Sequence, residues 1–407
     1  MHLLLILFLV AFVCTGHVSG DEVHFNTSSS SPSHLSAAST AATHHSLNVS
    51  IPPPDVIQCD PYCCDCNGPK ARCTGRHRRW QYLPRLPATI RDFRMMRAKL
   101  PNMTRSMLAN LSNFDLTVMN LTFNQISYIE PEAFADFVKM ESLDLSGNPI
   151  PMLQLKATLK GITSTSVHTL TLNKMGLTFI PDDFFDMFFN KTFRKVDLKQ
   201  NYLRSFNNAI FAVFRLIKIV DLCQNEISEV NMTARINIRR LILKENSFQH
   251  FPDLCLHHSP TTGEAGYFRA FYHLDSIYIA NNPFKRIHSG VLRGTCLPLL
   301  KKMDISWSTT LKTLENNFVA DLPQLRHLMV NHMTNLDRYE PYAFNSSSLK
   351  ILTLDQNRNL GKDVVDIQHV FRYCPNLEVS LFSLMHSHSH THAHTTYTHA
   401  HVHVMLN

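Results

Sequence analysis

The chain has 407 residues, 39 basic and 32 acidic side chains, a formal charge of +7, 44% hydrophobic residues and only 12 glycines. That charge is modest for the length and does not by itself imply a nucleic-acid partner. The chain carries no G-x-S-x-G, no H-E-x-x-H and no phosphate-cradling glycine loop, so it offers no catalytic or cofactor motif, and no enzyme is expected.

In chain order, Leu3–Val13 is an unbroken apolar run, followed by Val18-Ser19-Gly20. Eleven helical residues span only ~16 Å of a hydrocarbon core of ~30 Å, so residues 1–20 are read as a secretory signal peptide rather than an anchor. No later run approaches a membrane-spanning length, and the chain as written is expected to be extracellular. Residues 21–58 are rich in Ser, Thr, His and Pro and include Pro52-Pro53-Pro54. Such a stretch buries too little apolar surface to offset its ordering entropy and is expected to be a disordered leader. N-x-S/T sequons at Asn102, Asn110, Asn120, Asn190, Asn231 and Asn345, with Asn26 and Asn48 in the leader, suit a secreted glycoprotein.

Cys59, Cys63, Cys64, Cys66 and Cys73 then fall within fifteen residues. Behind a signal peptide this cluster reads as disulfides, with zinc as the rival because C-x-C spacing also suits a metal. Residues 59–89 are accordingly read as a small disulfide cap. With Cys14 removed with the signal, nine cysteines remain, so at least one is unpaired or intermolecular.

From 90 to 378 one frame recurs. Its clearest copies are Leu143-x-Leu145-x-x-Asn148-x-Ile150, Val196-x-Leu198-x-x-Asn201-x-Leu203 and Leu241-x-Leu243-x-x-Asn246-x-Phe248. Asn124, Asn225, Asn282 and Asn357 fill the same slot, and Ala98, Met175, Ser308 and Met333 fill it in degenerate copies. Steps between slots run from 21 (Asn225 to Asn246) to 36 (Asn246 to Asn282), which is the signature of leucine-rich repeats, about eleven in all. The expected fold is α/β: a right-handed, curved horseshoe solenoid with a concave parallel β-sheet. Apolar strand residues point inward, the Asn amide bonds backbone groups where the chain leaves the sheet, and stability comes from stacking. In the longest insert, Cys255 can pair with Cys296 one repeat later, the alternative for Cys296 and Cys374 being plain burial on the convex side. Cys223 occupies a strand position expected to expose a free thiol on the concave face.

Residues between the apolar strand positions point outward from that sheet and are mostly basic. The densest run is Arg194, Lys195, Lys199, Lys218, Arg239, Arg240 and Lys244, followed by Lys301, Lys302, Arg326, His327 and Lys350. On rungs ~4.8 Å apart these form the candidate binding strip for an anionic ligand. Asp144, Asp197, Asp221, Asp304 and Asp355 share the face and can neutralise much of it.

The cysteine cluster followed by Leu83-Pro84-x-Leu86-Pro87 resembles the N-terminal cap of extracellular leucine-rich-repeat proteins, which implies Cys59–Cys66 and Cys64–Cys73 pairs. The chain from about Cys59 to Glu378 resembles a Toll-like receptor ectodomain. The resemblance rests on that cap, on Leu143-Asp144-Leu145-Ser146-x-Asn148, on uneven repeat lengths, on the phenylalanines Phe134, Phe184, Phe211 and Phe344, and on Lys160-Gly161-Ile162-x-Ser164-x-Ser166-Val167. It implies recognition of a protein or an anionic microbial or damage-associated ligand, and homo- or heterodimers. Family members are single-pass membrane receptors with an intracellular signalling domain that this chain lacks. The rival is a secreted leucine-rich-repeat adhesion or matrix protein.

After Glu378 the frame fails. Ser380 stands where an apolar residue is demanded, no Asn slot follows, and histidine alternates from His386 to His394. Codons for His, Thr, Ala, Ser, Tyr and Val all lie within one base of a cytosine–adenine repeat, and a splice-donor sequence can encode Glu378-Val379-Ser380. Residues 379–407 are therefore expected to be an intron-derived, low-complexity tail, with a weak metal-binding histidine tail as the rival.

Overall fold

The L-x-L pairs become short strands in the computed structural model, which describes residues 64–75, 83–162, 166–259, 261–357, 373–383 and 401–403. All of them belong to one compact unit, Ile57–Asn407. The signal run, the leader, Cys59, Cys63 and the histidines from His386 to His399 lie outside the described residues.

Each repeat contributes one strand to a single sheet, and strands follow one another in chain order. From Lys70–Thr74 through Asp92–Met96, Val118–Asn120 and onward to Val379–Ser383, every neighbour pairs in parallel. The register sets Leu143 against Leu170, Leu170 against Val196, Val196 against Val220 and Val220 against Leu241. The inward side chains therefore stack in rows, and Leu143, Leu145, Leu170, Leu172, Leu198, Leu241 and Leu243 are fully buried. Burying one such side chain contributes about 1.5–3 kcal/mol, which no single turn collects in sufficient number to fold alone.

The asparagines act as struts between turns. Asn148 Nδ2 donates to the carbonyls of Leu121 and Leu145, both at 2.8 Å, and its Oδ1 accepts from the Asn124 and Ile126 N–H groups. Asn201 repeats this with Leu172, Leu198, Met175 and Leu177. Both are buried, so these backbone groups have no water to fall back on. One position before the slot, the backbone enters the left-handed region in repeat after repeat: Phe123, Lys174, Gln200, Gln224, Glu245, Trp307 and His332 all have φ between 54° and 63°. There the N–H reaches the next rung, as from Gln200 to Cys223 O at 3.0 Å and from Trp307 to Asn331 O at 2.8 Å. That bond extends the ladder past the strand and holds side chains in a region they otherwise avoid.

Opposite the sheet, phenylalanines fill the turns. Phe185 packs on Phe184, Phe211 and Phe214 at 4.8, 5.7 and 5.4 Å between ring centroids, and Phe193 joins Phe188 and Phe214 at 5.0 and 4.9 Å. Two helices replace irregular turns, Arg105–Ser112, capped by Thr104, and Met152–Lys160. Among the described residues no helix is long and apolar enough to cross a membrane.

A hairpin of Cys64–Asn67 and Lys70–Thr74 closes the N-terminal end, stapled by the Cys64–Cys73 disulfide and paired in parallel with Asp92–Met96. Cys66 is also disulfide-bonded, and its expected partner Cys59 lies outside the described residues. The insert forms a second antiparallel hairpin, Cys255–His258 with Ala265–Arg269, tied down by a Cys255–Cys296 disulfide. Cys223 departs from expectation. It is 1% exposed and disulfide-bonded rather than an exposed thiol, and Glu245 from the next rung lies against its Sγ at 4.0 Å. The free cysteine among the described residues is buried Cys374, whose Sγ meets Phe344 O at 2.7 Å and whose thiol burial pushes up to about 11. The sheet also continues beyond residue 378: Val379–Ser383 pairs with Ile351–Thr353, placing Ser380 opposite Leu352, and His401–His403 pairs antiparallel with Leu381–Ser383.

Candidate ligand-binding face

Outward residues of the sheet fall into rows, because successive strands are in register. The central row lies between the two inward apolar positions and includes Asp144, Thr171, Asp197, Asp221, Ile242, Tyr278 and Asp304. Its carboxylates are built into the backbone. Asp144 Oδ1 accepts the Ser146 N–H at 3.0 Å, Asp221 Oδ1 accepts the Cys223 N–H at 3.2 Å, and Asp304 Oδ1 accepts the Ser306 N–H at 3.1 Å. Each therefore caps the strand end two residues on.

The seven cations read as one strip divide between this network and open solvent. Lys195 Nζ lies 2.7 Å from Asp197 and 3.4 Å from Asp221, and Lys199 bridges the same two carboxylates at 3.6 and 3.8 Å. Lys244 reaches Asp304 at 2.8 Å and stands 5.3 Å from the Tyr278 ring centre, over which Arg240 also lies at 6.0 Å. Burial pushes Asp221 above the usual carboxylate range, and the neighbouring Asp197 charge adds to this, while the two lysines oppose it. Burial lowers Lys195, but Asp197 and Asp221 outweigh it and leave its pKa raised. These lysines are structural counter-ions first. A ligand would have to compete with carboxylates already in place.

The row at the strand entry is different. It lies two residues before the first inward strand position and runs Arg194, Lys218, Arg239, Asp275, Lys301, Arg326 and Lys350. Lys218 stands between Arg194 and Arg239 in register, and backbone bonds join Arg239 to Asp275, Asp275 to Lys301, Lys301 to Arg326 and Arg326 to Lys350. Arg194, Lys218, Arg239, Lys301 and Arg326 are exposed. The acid within the row, Asp275, bonds Arg239 at 2.6 Å, and Lys350 pairs with Glu378 at its far end. Beside the row opens a groove of about 480 Å³ lined by Arg215, Arg239, Lys301 and His273, by the carboxylate of Asp275, and by Leu216 and Leu299.

Of the sequon asparagines, Asn102, Asn110, Asn190 and Asn231 are exposed. Asn120 is half-buried on the open face with its Nδ2 donating to Asp144 at 2.9 Å, and half-buried Asn345 donates to Asn317 at 3.1 Å.

The profile of the family described as leucine rich repeat matches residues 102–150. No curated protein sequence matches the chain. Among solved structures, Toll in its complex with Spatzle (Drosophila, glycosylated form) is similar at 18% identity and a TM-score of 0.52, over 77% of this chain and 44% of that one. The chain has the leucine-rich-repeat fold of the Toll ectodomain. It spans less than half of the Toll chain it matches, 44%. Human 5T4 (Wnt-activated inhibitory factor 1) is similar at 18% identity and a TM-score of 0.42, covering 56% of this chain and 83% of that one. The APL1 leucine-rich repeat domain shows 16% identity and a TM-score of 0.45, covering 67% of this chain and 69% of that one.

Two features of this leucine-rich-repeat face escape a reading of the sequence. The entry groove needs Arg215 and His273, which lie before their strands and fall outside the L-x-L frame. Some ion pairs join residues on different rungs, such as Lys195 with Asp221 and Lys244 with Asp304, whose meeting depends on side-chain reach. A signal for the groove does exist: the position two before each inward strand residue is basic in six of the seven rungs from Arg194 to Lys350.

Proposed function

We propose that the chain is the ligand-recognition part of a Toll-like receptor ectodomain, extracellular and N-glycosylated at its exposed sequons. It is a binding module rather than an enzyme, taking a protein or an anionic microbial or damage-associated ligand on its sheet surface, and it acts as a homo- or heterodimer. The observation that carries this reading is the Toll-like solenoid joined to a disulfide-stapled N-terminal hairpin. The Toll structure that this chain resembles is a complex with Spatzle, which supports a partner-binding role. In this chain Arg194, Lys218 and Arg239 make the first contact. Lys195, Lys199 and Lys244, tied into the central network, hold the face rigid behind them, and Arg240 lies over the Tyr278 ring.

Sequencing full-length transcripts through the Glu378 codon tests the proposal. The expected result is a frame that continues to a membrane span and an intracellular Toll/interleukin-receptor domain. A frame that closes after a second cysteine cap makes the protein a secreted adhesion or matrix component instead.

A further inference from the structure

The strand-entry row is a straight line of exposed cations on the rim of the sheet. Arg194, Lys218 and Arg239 occupy consecutive rungs, and Lys301 and Arg326 continue the line after Asp275. Rungs are ~4.8 Å apart, so the row runs for roughly 25 Å and repeats its charge at near-constant intervals. Its acid is already taken by Arg239, and among the described residues Arg194, Arg215, Lys218, Lys301 and Arg326 have no ion-pair partner.

We propose that this rim and the Arg215–Arg239–His273–Lys301 groove bind a linear sulfated polysaccharide lying across the strands. The assignment rests on reading the chain as extracellular, where such polymers are found, and names a ligand class for the cationic face. Three observations select it. No Phe, Tyr or Trp stands in the row or lines the groove, whereas single-stranded nucleic acid is held largely by bases stacked on aromatic rings. The groove itself offers no large apolar anchor site: the apolar residues in its lining are two half-buried leucines, Leu216 and Leu299, and a folded protein partner normally needs a buried aromatic anchor. What remains is regularly spaced, exposed charge, with arginine forks suited to sulfate and carboxylate oxygens.

The test uses the full secreted chain and heparin as the probe, in surface plasmon resonance at physiological salt. Wild type is compared with Lys218→Glu/Lys301→Glu/Arg326→Glu and with a control carrying Lys285→Glu/Lys312→Glu, exposed cations away from the rim. The expected result is at least a tenfold loss of heparin affinity in the rim variant and a much smaller one in the control, with equal melting temperatures. Equal losses in the two variants, or no heparin binding by wild type, overturn the proposal. Binding of oligodeoxythymidylate of matched charge as tightly as heparin also overturns it. If heparin fails while the transcript encodes a receptor, the ligand class is wrong and the receptor reading stands.

Discussion

The ring of Phe123 occupies the space that a side chain at Gly147 would fill: a Cβ built on Gly147 lies 2.9 Å from Phe123 Cγ and closer still to the ring edge. Both residues belong to the left-handed row before the Asn slot, Phe123 at φ 56° and Gly147 at 69°. Lys174, the next member, stands 5.9 Å from the centre of the same ring. Glycine in one turn thus lets an aromatic side chain from its neighbour lie flat along the edge.

Gly147→Ala should cost on the order of 1–2 kcal/mol for the left-handed backbone, plus the displacement of Phe123. In urea denaturation the Phe123→Ala background should remove the second part and keep the first. Equal losses in both backgrounds would show that the ring does not lean on position 147.

Asn201→Ala removes four bonds to buried backbone groups at once. A loss on the order of 1–3 kcal/mol is expected, because those carbonyls and N–H groups gain no water in exchange. Ser308 fills the same slot with a single bond to Ile305 O at 2.8 Å, so Ser308→Ala should cost less. Similar losses in the two variants would contradict the strut role.

The Cys255–Cys296 bridge closes a loop of 41 residues. Replacing both with Ser should lower stability by up to about 4 kcal/mol on the chain-entropy account. Limited proteolysis should then cut the Cys255–Arg269 hairpin region before the flanking repeats. Unchanged protease resistance there would mean that packing, not the bridge, holds the insert.

Asp221 gives a pH dependence whose sign can be stated. Burial, reinforced by Asp197, raises its pKa in the folded chain. The folded state therefore holds this proton more tightly than the unfolded state. That contribution to stability is present below the ordinary carboxylate range and fades as pH rises through the raised value. Asp221→Asn removes it, so the variant should gain relative to wild type as pH goes from about 4 to about 7. A constant difference across that window would rule out the shift.

Most of the fold was legible because its determinants are local and repeated. The L-x-L spacing sets the inward rows and the Asn slot sets the struts; Cys64 with Cys73 is what the resemblance to extracellular leucine-rich-repeat caps implies, and Cys255 with Cys296 is one of two readings the sequence leaves open, the other being plain burial. The left-handed row was not legible. Its occupants, among them Arg97, Phe123, Lys174, Gln224, Trp307 and His332, share no residue type, and an N–H bond to the next rung imposes their conformation. The basic face was legible as composition but not as geometry. In the sequence Lys195, Lys199 and Lys244 share a face with Asp197, Asp221 and Asp304 that can neutralise them, but which carboxylate each lysine reaches is set only by the folded side chains. Cys223 differs from the sequence reading because it is buried in a disulfide, with Glu245 of the following repeat 4.0 Å from its Sγ, and neither contact is local in sequence.

In the proposed binding mode, exposed cations of the entry row, not the paired lysines behind them, meet the anionic ligand. The salt dependence of heparin binding by the full chain is the direct test. Removing Lys218 or Lys301 as alanine variants should each lower the slope of log affinity against log salt by about one. Lys195→Ala, which removes a cation already held by Asp197 and Asp221, should leave the slope nearly unchanged. The reverse pattern, a slope that falls with Lys195 and ignores Lys218 and Lys301, would contradict the account.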